Sequence, residues 1–544
     1  MKVRTDMIRL AKELHTWVGI TSGILLFICF FAGGLSMFQH DLSRWASPPS
    51  QNLAMIQPNQ YNELVSKVQA DYPETLKSFQ LNLNSKEFHQ APIQWKAPEK
   101  KGQDDHDFDT HQNAMLATLN ADGTLKVEQE NLSKLGWLIE QLHETAGIPG
   151  MLGHHALGVY AMGIVAVLYF LAIMTGLIVL LPTLVKDYFA IRKGKNKKRF
   201  WLDAHNVVGI TSLPFHILIS VSVIVFAFHD LFYDAMGTLV SKNKPLFERP
   251  AAVKIVDPAP KLDVEKVLQH IGEQAQGYQI SSISFNNLDK PANASARASV
   301  YSPDQMLRGE SFDVMMFNPY QTQAYNTNNL NTHSSAMDKV IRSMFSLHFG
   351  NYGGNITRWL YVILGIGGAF LFYSGNILWI ESRHKRLKNP NLAPPQQRKD
   401  VRFIAALTVG SCIGCVGAIA GGMLLGKWSF VVQPNLNSMN QVLMYSYYTI
   451  FVFAVIYAFV RGAATALPHL LLMTAILLFL LPLTSIIALL IPNIGLWASH
   501  GSLWWIDLIA ILFALAFLRF YQQARTRQQH AELGSIWSNA KIEP

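Results

Sequence analysis

The chain has 544 residues, of which 50% are hydrophobic, 11% aromatic and only 15% charged, a balance more apolar and less charged than an ordinary soluble protein carries. Its formal charge of +9 collects in a few short segments and reads as a membrane-topology signal, so no nucleic-acid partner is needed to explain it. Three cysteines, Cys29, Cys412 and Cys415, all fall inside apolar runs, which excludes a disulfide framework for the loops between those runs.

Apolar stretches long enough for a bilayer core stand near 17–38, 155–182, 206–228, 357–380, 402–426, 441–460, 466–491 and 502–520. They predict a mainly α-helical membrane protein with about eight transmembrane helices. The first follows Lys2, Arg4, Arg9 and Lys12 but lacks a small-residue cleavage site, so it is expected to be an uncleaved helix (1–38). A long loop, 39–150, has soluble mixed α/β composition: "NQYNELVSKVQADYPE" has helical periodicity and "SFQLNL" alternates like a strand. After a second helix (151–182) comes the basic loop 183–205, then a third helix (206–228) and a second long loop, 229–350. In that loop "DVEKVLQHIGEQAQGYQ" precedes "ISSISF", again helix before strand. A fourth helix (351–380) and a basic loop (381–401) lead to an accessory four-helix bundle (402–520) and a tail (521–544). Lysine and arginine are retained on the cytoplasmic side. The basic N-terminus, the two basic loops and the tail therefore place both ends in the cytoplasm and both long loops outside.

Two segments enter apolar runs with nearly the same words, "HTWVGITS" from His15 and "HNVVGITS" from His205, identical at six of eight positions. This repeat, with the repeated helix-then-strand loops, divides residues up to about 380 into two halves. An ionisable side chain at a membrane helix is costly enough to suggest function, and histidine is the usual axial ligand of b-type haem. Gly19 and Gly209 lie one turn beyond His15 and His205, where a missing side chain leaves a flat seat for a porphyrin. On the outer side "LHETAGIPGMLGHHALG" supplies His143, His154 and His155, and "SLHFGNYGGNITRW" supplies His348. One histidine pair per side suits two stacked haems. His154 and His155 are adjacent, so at most one of them can share a haem; they and His216, inside the third run, are alternative ligands. Interfacial hydrogen-bonded anchoring is the competing role for any one of these histidines.

Cys412 and Cys415 form C-x-x-C with no following histidine, which excludes a c-type haem attachment; with Gly410, Gly414 and Gly417 they read as small residues packing a helix interface. The cluster "DDHDFDTHQ" (104–112) is either a cation collector or a solvated acidic loop. No G-x-G-x-x-G following a strand and no Walker A lysine loop occurs, so no nicotinamide, flavin or ATP site is encoded.

The stretches "LHTWVGITSGILLFICFFAGGLSMF", "LDAHNVVGITSLPFHILISVSVIVF" and "LHFGNYGGNITRWLYVILGIGGAFLFYSGNILWIESRHKR" resemble the PepSY-associated transmembrane proteins, which include bacterial inner-membrane iron-siderophore reductases. The resemblance covers roughly residues 1–390. It implies that the two long loops are PepSY-like domains facing the periplasm, that the protein binds two b haems, and that His15, His143, His205 and His348 are the ligands of the haem iron. It further implies reduction of a ferric siderophore or similar iron chelate, with electrons from quinol or a cytoplasmic reductase. The chain departs from the family pattern in Ala32-Gly33, where threonine often precedes the glycine, whereas Thr175-Gly176 keeps that pattern and Ser374-Gly375 nearly does. Thr16 and Asn206 replace the usual basic residue after the motif histidines. Two other classes compete: a siderophore or metal permease using residues 402–520, and a non-enzymatic PepSY regulator that binds peptides. For a permease those spans offer mainly Lys427 at an edge, Arg461 between spans, His469 and Asp507.

Overall fold

The computed structural model describes residues 4–49, 53–83, 91–96, 114–152, 155–188, 192, 197–229, 231, 260–307, 309, 312–321, 324–326, 330, 336–385, 387, 393–499 and 501–539. The cluster at 104–112 lies outside them. The chain divides into two compact units, one formed by residues 1–48, 132–227 and 360–544, the other by 49–131 and 228–359.

In chain order the strands are β1 (Ser78–Asn82), β2 (Ile93–Lys96), β3 (Ala114–Leu119), β4 (Leu125–Gln129), β5 (Met151–Leu152), β6 (His155–Ala156), β7 (Gln279–Asn286), β8 (Ser295–Tyr301), β9 (Asp313–Phe317) and β10 (Ala324–Asn326). β5 and β6 pair only with each other, in the first unit. The other eight form one antiparallel sheet, ordered β10-β9-β8-β7-β1-β2-β3-β4. The two long loops, expected as two separate domains at 39–150 and 229–350, are thus halves of one sheet, closed at its centre by β1 against β7 with Gln80 opposite Ser284. Each half contributes a helix and then a four-strand meander. Their helices, Tyr61–Asp71 and Val264–Gln274, meet through Asn62, whose side-chain oxygen accepts the Val264 N–H at 2.8 Å. Alternating residues put Leu81, Ile93, Ile283, Phe285, Ala296, Ala298, Met315 and Phe317 in one shared core with Leu64, Val68, Val267 and Ile271 from the helices. Strands and helices of both halves close one core, so the seam is a buried contact. The Tyr61 hydroxyl, pushed up to about 12 by burial, stays protonated and donates to the Asn82 carbonyl at 2.9 Å.

In the first unit seven helices among the described residues are long and apolar enough to cross a membrane. They are the first span (Thr5–Ser36), the second (Leu157–Leu180), the fourth (Gly354–Arg383, with its opening turns in the sheet unit), the fifth (Lys399–Val432), the sixth (Leu436–Arg461), the seventh (Ala463–Leu490) and the eighth (Gly501–Gln529). The third is a pair, Lys198–Thr211 and Leu213–Ala227, bent by 69°. A single helix over 206–228 was the expectation; Pro214 explains the break, since proline has no N–H to donate and its ring crowds the carbonyl one turn back. First and fourth spans cross backbone against backbone: a Cβ on Gly365 would stand 2.9 Å from the Gly34 Cα. The boundary at residue 39 also moves, because the short helices Gln39–Ala46 and Leu135–Thr145 pack in this unit.

In the fifth span Cys412 and Cys415 are fully buried beside a π turn at Val409–Ile413. A Cβ on Gly410 or Gly414 would fall 2.7 Å from the sixth span, and one on Gly417 2.8 Å from Thr474 of the seventh, which is the close packing expected of these small residues. Lys427, expected at an edge, is instead 2% exposed.

A single sheet core makes the two halves unfold together. Phe285→Ala removes a fully buried ring stacked on Phe79 at 5.0 Å, at a cost of about 3–5 kcal/mol. Hydrogen exchange should therefore accelerate in β1–β4 as well as β7–β10; acceleration confined to β7–β10 would contradict the joint sheet.

Candidate functional site

His15 and His205, 190 positions apart in sequence, come together in the first unit with ring centroids 6.3 Å apart and planes crossed at 78°. Each ring is oriented by its Nδ1. His15 Nδ1 donates to the Ala172 carbonyl of the second span at 2.8 Å. His205 Nδ1 lies 2.9 Å from the Ser374 hydroxyl of the fourth span; that hydroxyl donates to the Leu371 carbonyl, so toward His205 it accepts. Both imidazoles therefore carry their proton on Nδ1, and both Nε2 atoms keep a bare lone pair with no hydrogen-bond partner among the described residues.

Glycines make room for these rings. A Cβ on Gly176 would lie 2.9 Å from His15 Cε1, and one on Gly375 3.7 Å from His205 Cε1. Gly19, singled out beside His15, has nothing within 4 Å of its Cβ position, and Gly209 has only Leu371 at 3.7 Å, so both leave open surface beside the pair. The helix bearing His205 is fixed two residues earlier by Asp203, which is 1% exposed and pairs with Arg192 at 3.0 Å and Arg199 at 3.2 Å.

At the far end of the first span the same construction recurs. His143, on Leu135–Thr145, directs Nδ1 to the Cys29 carbonyl at 3.0 Å, and a Cβ on Gly33 would be 2.6 Å from that nitrogen. The glycines of Ala32-Gly33, Thr175-Gly176 and Ser374-Gly375 are thus the seats of His143, His15 and His205 in turn. Eighteen residues separate His15 from Gly33 on one helix, about 27 Å at about 1.5 Å per residue. Between the two ends lies a packed group of rings, Phe30, Tyr169, Phe215, His216 and Phe372, with centroids 5.3–6.4 Å apart. His216 is 2% exposed; the Tyr169 hydroxyl meets its Nδ1, and its Nε2 has no partner among the described residues.

His348 belongs to the sheet unit, on the helix Ala336–Phe349, half-buried against Phe349 at 5.4 Å. That helix is held by the buried pair Arg342–Asp313 at 2.6 Å. His155 lies in β6, and His154 is outside the described residues. Among the described residues no group of three or more histidine, cysteine or acidic side chains gathers for a metal ion; the arrangement is one of paired imidazoles.

The partners Ala172 and Ser374 and the seats Gly33, Gly176 and Gly375 were not assigned to this role from sequence. The signal was the small-residue–glycine dipeptide near one end of three spans, visible in the sequence but without its histidine.

Fold and site together define a multi-pass membrane protein with an imidazole pair mounted on its spans and a sheet unit whose two parts are inserted between those spans in sequence. The chain belongs to the PepSY-associated TM region family, whose profile matches residues 12–382; the fifth to eighth spans lie beyond the match. No curated protein matches the sequence as a relative.

The tautomers are directly measurable. In bilayers, ¹⁵N-histidine spectra of the cofactor-free chain should show His15 and His205 protonated at Nδ1, and Gly176→Leu should remove that state for His15 alone. A proton on Nε2 in the unsubstituted chain would contradict the assigned hydrogen bonds.

Proposed function

We propose that the protein is a di-haem b electron-transfer protein of the bacterial inner membrane that reduces a ferric siderophore, Fe3+ to Fe2+, on the periplasmic side. The observation that carries this is the His15–His205 pair. Two imidazoles on opposite sides of one metal, each at a bond length of about 2.0 Å with a further ~1.1 Å from nitrogen to ring centre, have centroids about 6.2 Å apart. The observed separation is 6.3 Å. Metal-bound histidine characteristically donates its other ring N–H to a carbonyl or similar acceptor, as both rings do here. The open surface at Gly19 and Gly209 suits a flat macrocycle beside the pair.

When bound, haem supplies a one-electron couple, Fe2+/Fe3+. The chain's own residues do the rest. Ala172 and Ser374 keep Nε2 of each inner histidine deprotonated for the metal, and Gly176 and Gly375 give the rings their clearance. His143 is the outer ligand, oriented by the Cys29 carbonyl, and the family resemblance pairs it with His348; His155, His154 and His216 are the alternatives. The rings from Phe372 to Phe30 fill the interval between the two ends with packed side chains and no charge.

The basic loops put the His15 end in the cytoplasm, and the sheet unit in the periplasm is the surface that meets the iron chelate. Electrons enter from quinol or from a cytoplasmic reductase. Siderophore oxygen donors are hard ligands that hold the ferric ion best, so one electron passed to the iron weakens the complex. No side chain need act as acid or base, and the catalytic work is delivery plus binding. A permease through the last four spans draws little from Lys427, which is covered by the faces of Trp45 and Trp497.

The test is a reduced-minus-oxidised spectrum of the purified chain with haem counted, followed by oxidation of the reduced protein with a ferric siderophore. Two b haems per chain, reoxidised by the chelate as Fe2+ appears, are expected; His15→Ala should lose one haem and still insert. An unchanged haem count in that variant would sink the inner-site assignment, and a haem-free wild type the whole reading.

A further inference from the structure

The fifth to eighth spans lie outside the family match, yet they hold the helix of His143. Asn440 of the sixth span is fully buried, and its side-chain oxygen accepts the N–H of Lys134 at 3.0 Å. Lys134 is the residue that opens the helix Leu135–Thr145. A helix start has backbone N–H groups with no partner inside the helix; here Asn440 takes Lys134, and the Ser43 hydroxyl takes Gly136 at 2.8 Å. At the other end the chain turns through Ala146 and Gly147, both at positive φ, and the Tyr448 hydroxyl donates to the Gly147 carbonyl at 3.4 Å. Asn440 and Tyr448 are eight residues apart on one helix, about 12 Å. One face of the sixth span therefore reaches both ends of the segment that carries His143.

A second grip acts through the neighbouring short helix Gln39–Ala46. Gly136 packs so closely on it that a Cβ would stand 2.7 Å from the Gln39 carbonyl oxygen. Trp45 of that helix is held from three directions. Lys427 of the fifth span places Nζ 4.1 Å above its ring, Asp507 of the eighth accepts its indole N–H at 3.1 Å, and Trp497 donates to its carbonyl at 3.0 Å. Lys427 Nζ has no hydrogen-bond partner among the described residues; the two indole faces compensate the buried charge.

We propose that the last four spans are a positioning scaffold for His143, with Asn440 and Tyr448 as its positioning residues. This rests on the haem reading above for its consequence, the tuning of the outer haem, but not for the grip itself. Without the two contacts, Leu135–Thr145 keeps its packing on the first span and on the short helix Gln39–Ala46 but loses its hold at both ends, and the imidazole loses its fixed angle.

The experiment compares the full-length chain with the Asn440→Ala/Tyr448→Phe double variant and with Asn440→Asp, which keeps the acceptor oxygen. Two readouts are taken: hydrogen exchange over Leu135–Thr145, and the low-spin ferric resonances of the bound haems. The double variant should exchange about tenfold faster there, since each lost hydrogen bond is worth a factor of several. One haem resonance should move while the other stays, and Asn440→Asp should restore both readouts. Unchanged exchange with both resonances in place would overturn the proposal. Faster exchange in a chain whose wild type holds no haem would overturn the haem reading and leave the scaffold standing.

Discussion

The arrangement depends on how an imidazole is made tolerable and useful inside apolar helices. A buried polar nitrogen without a partner is costly, and a rotating ring cannot present a lone pair. In this chain one nitrogen of each inner ring is bonded to an acceptor on a neighbouring span, Ala172 for His15 and Ser374 for His205, and a glycine clears the space in which the ring lies. The bond fixes both orientation and tautomer, so the remaining nitrogen is committed to whatever occupies the gap. Each clamp ties two spans together, the first to the second through His15 and the third to the fourth through His205. The third span bends just before Pro214, about two and a half turns beyond His205, and a separate buried histidine, His216, enters the ring cluster from its second segment.

Much of this was legible in the sequence. Apolar run lengths gave the spans, and the repeat of "HTWVGITS" as "HNVVGITS" marked His15 and His205 as equivalent. The helix-then-strand order of each long loop was also readable. What pairs with what was not. β1 and β7 are neighbours across about 200 residues, and alternation alone gives a strand's faces without its partner. Two loops with similar patterns therefore looked like two domains, whereas their strands join in one sheet over one core. The glycine seats were hidden for a related reason: Gly176 matters because of His15, and no local pattern joins them. His348 stands on a helix of the sheet unit, and the role proposed for it rests on family resemblance, whereas the role proposed for His15 and His205 draws on their observed pairing.

The accessory spans show the limit of reasoning from composition. Their few polar groups looked insufficient for a transport route and so left those spans without a purpose. Lys427, Asn440, Tyr448 and Asp507 are spread over three helices, yet they converge on Trp45 and on the segment that carries His143. Sparse polar residues in a membrane bundle are expected to be functional; here the function is to hold a neighbouring element, which becomes visible only when the partners are seen together.

The central claim is that His15 and His205 grip a single haem between them. Electron paramagnetic resonance of the oxidised, purified protein tests it most directly, because the ligand-field anisotropy of ferric haem reports both the axial ligands and the angle between their planes. Rings crossed at 78° should give a low-spin, strongly anisotropic signal that disappears in either His15→Ala or His205→Ala. The absence of this strongly anisotropic signal from the unsubstituted protein, or its survival in both variants, would contradict the account.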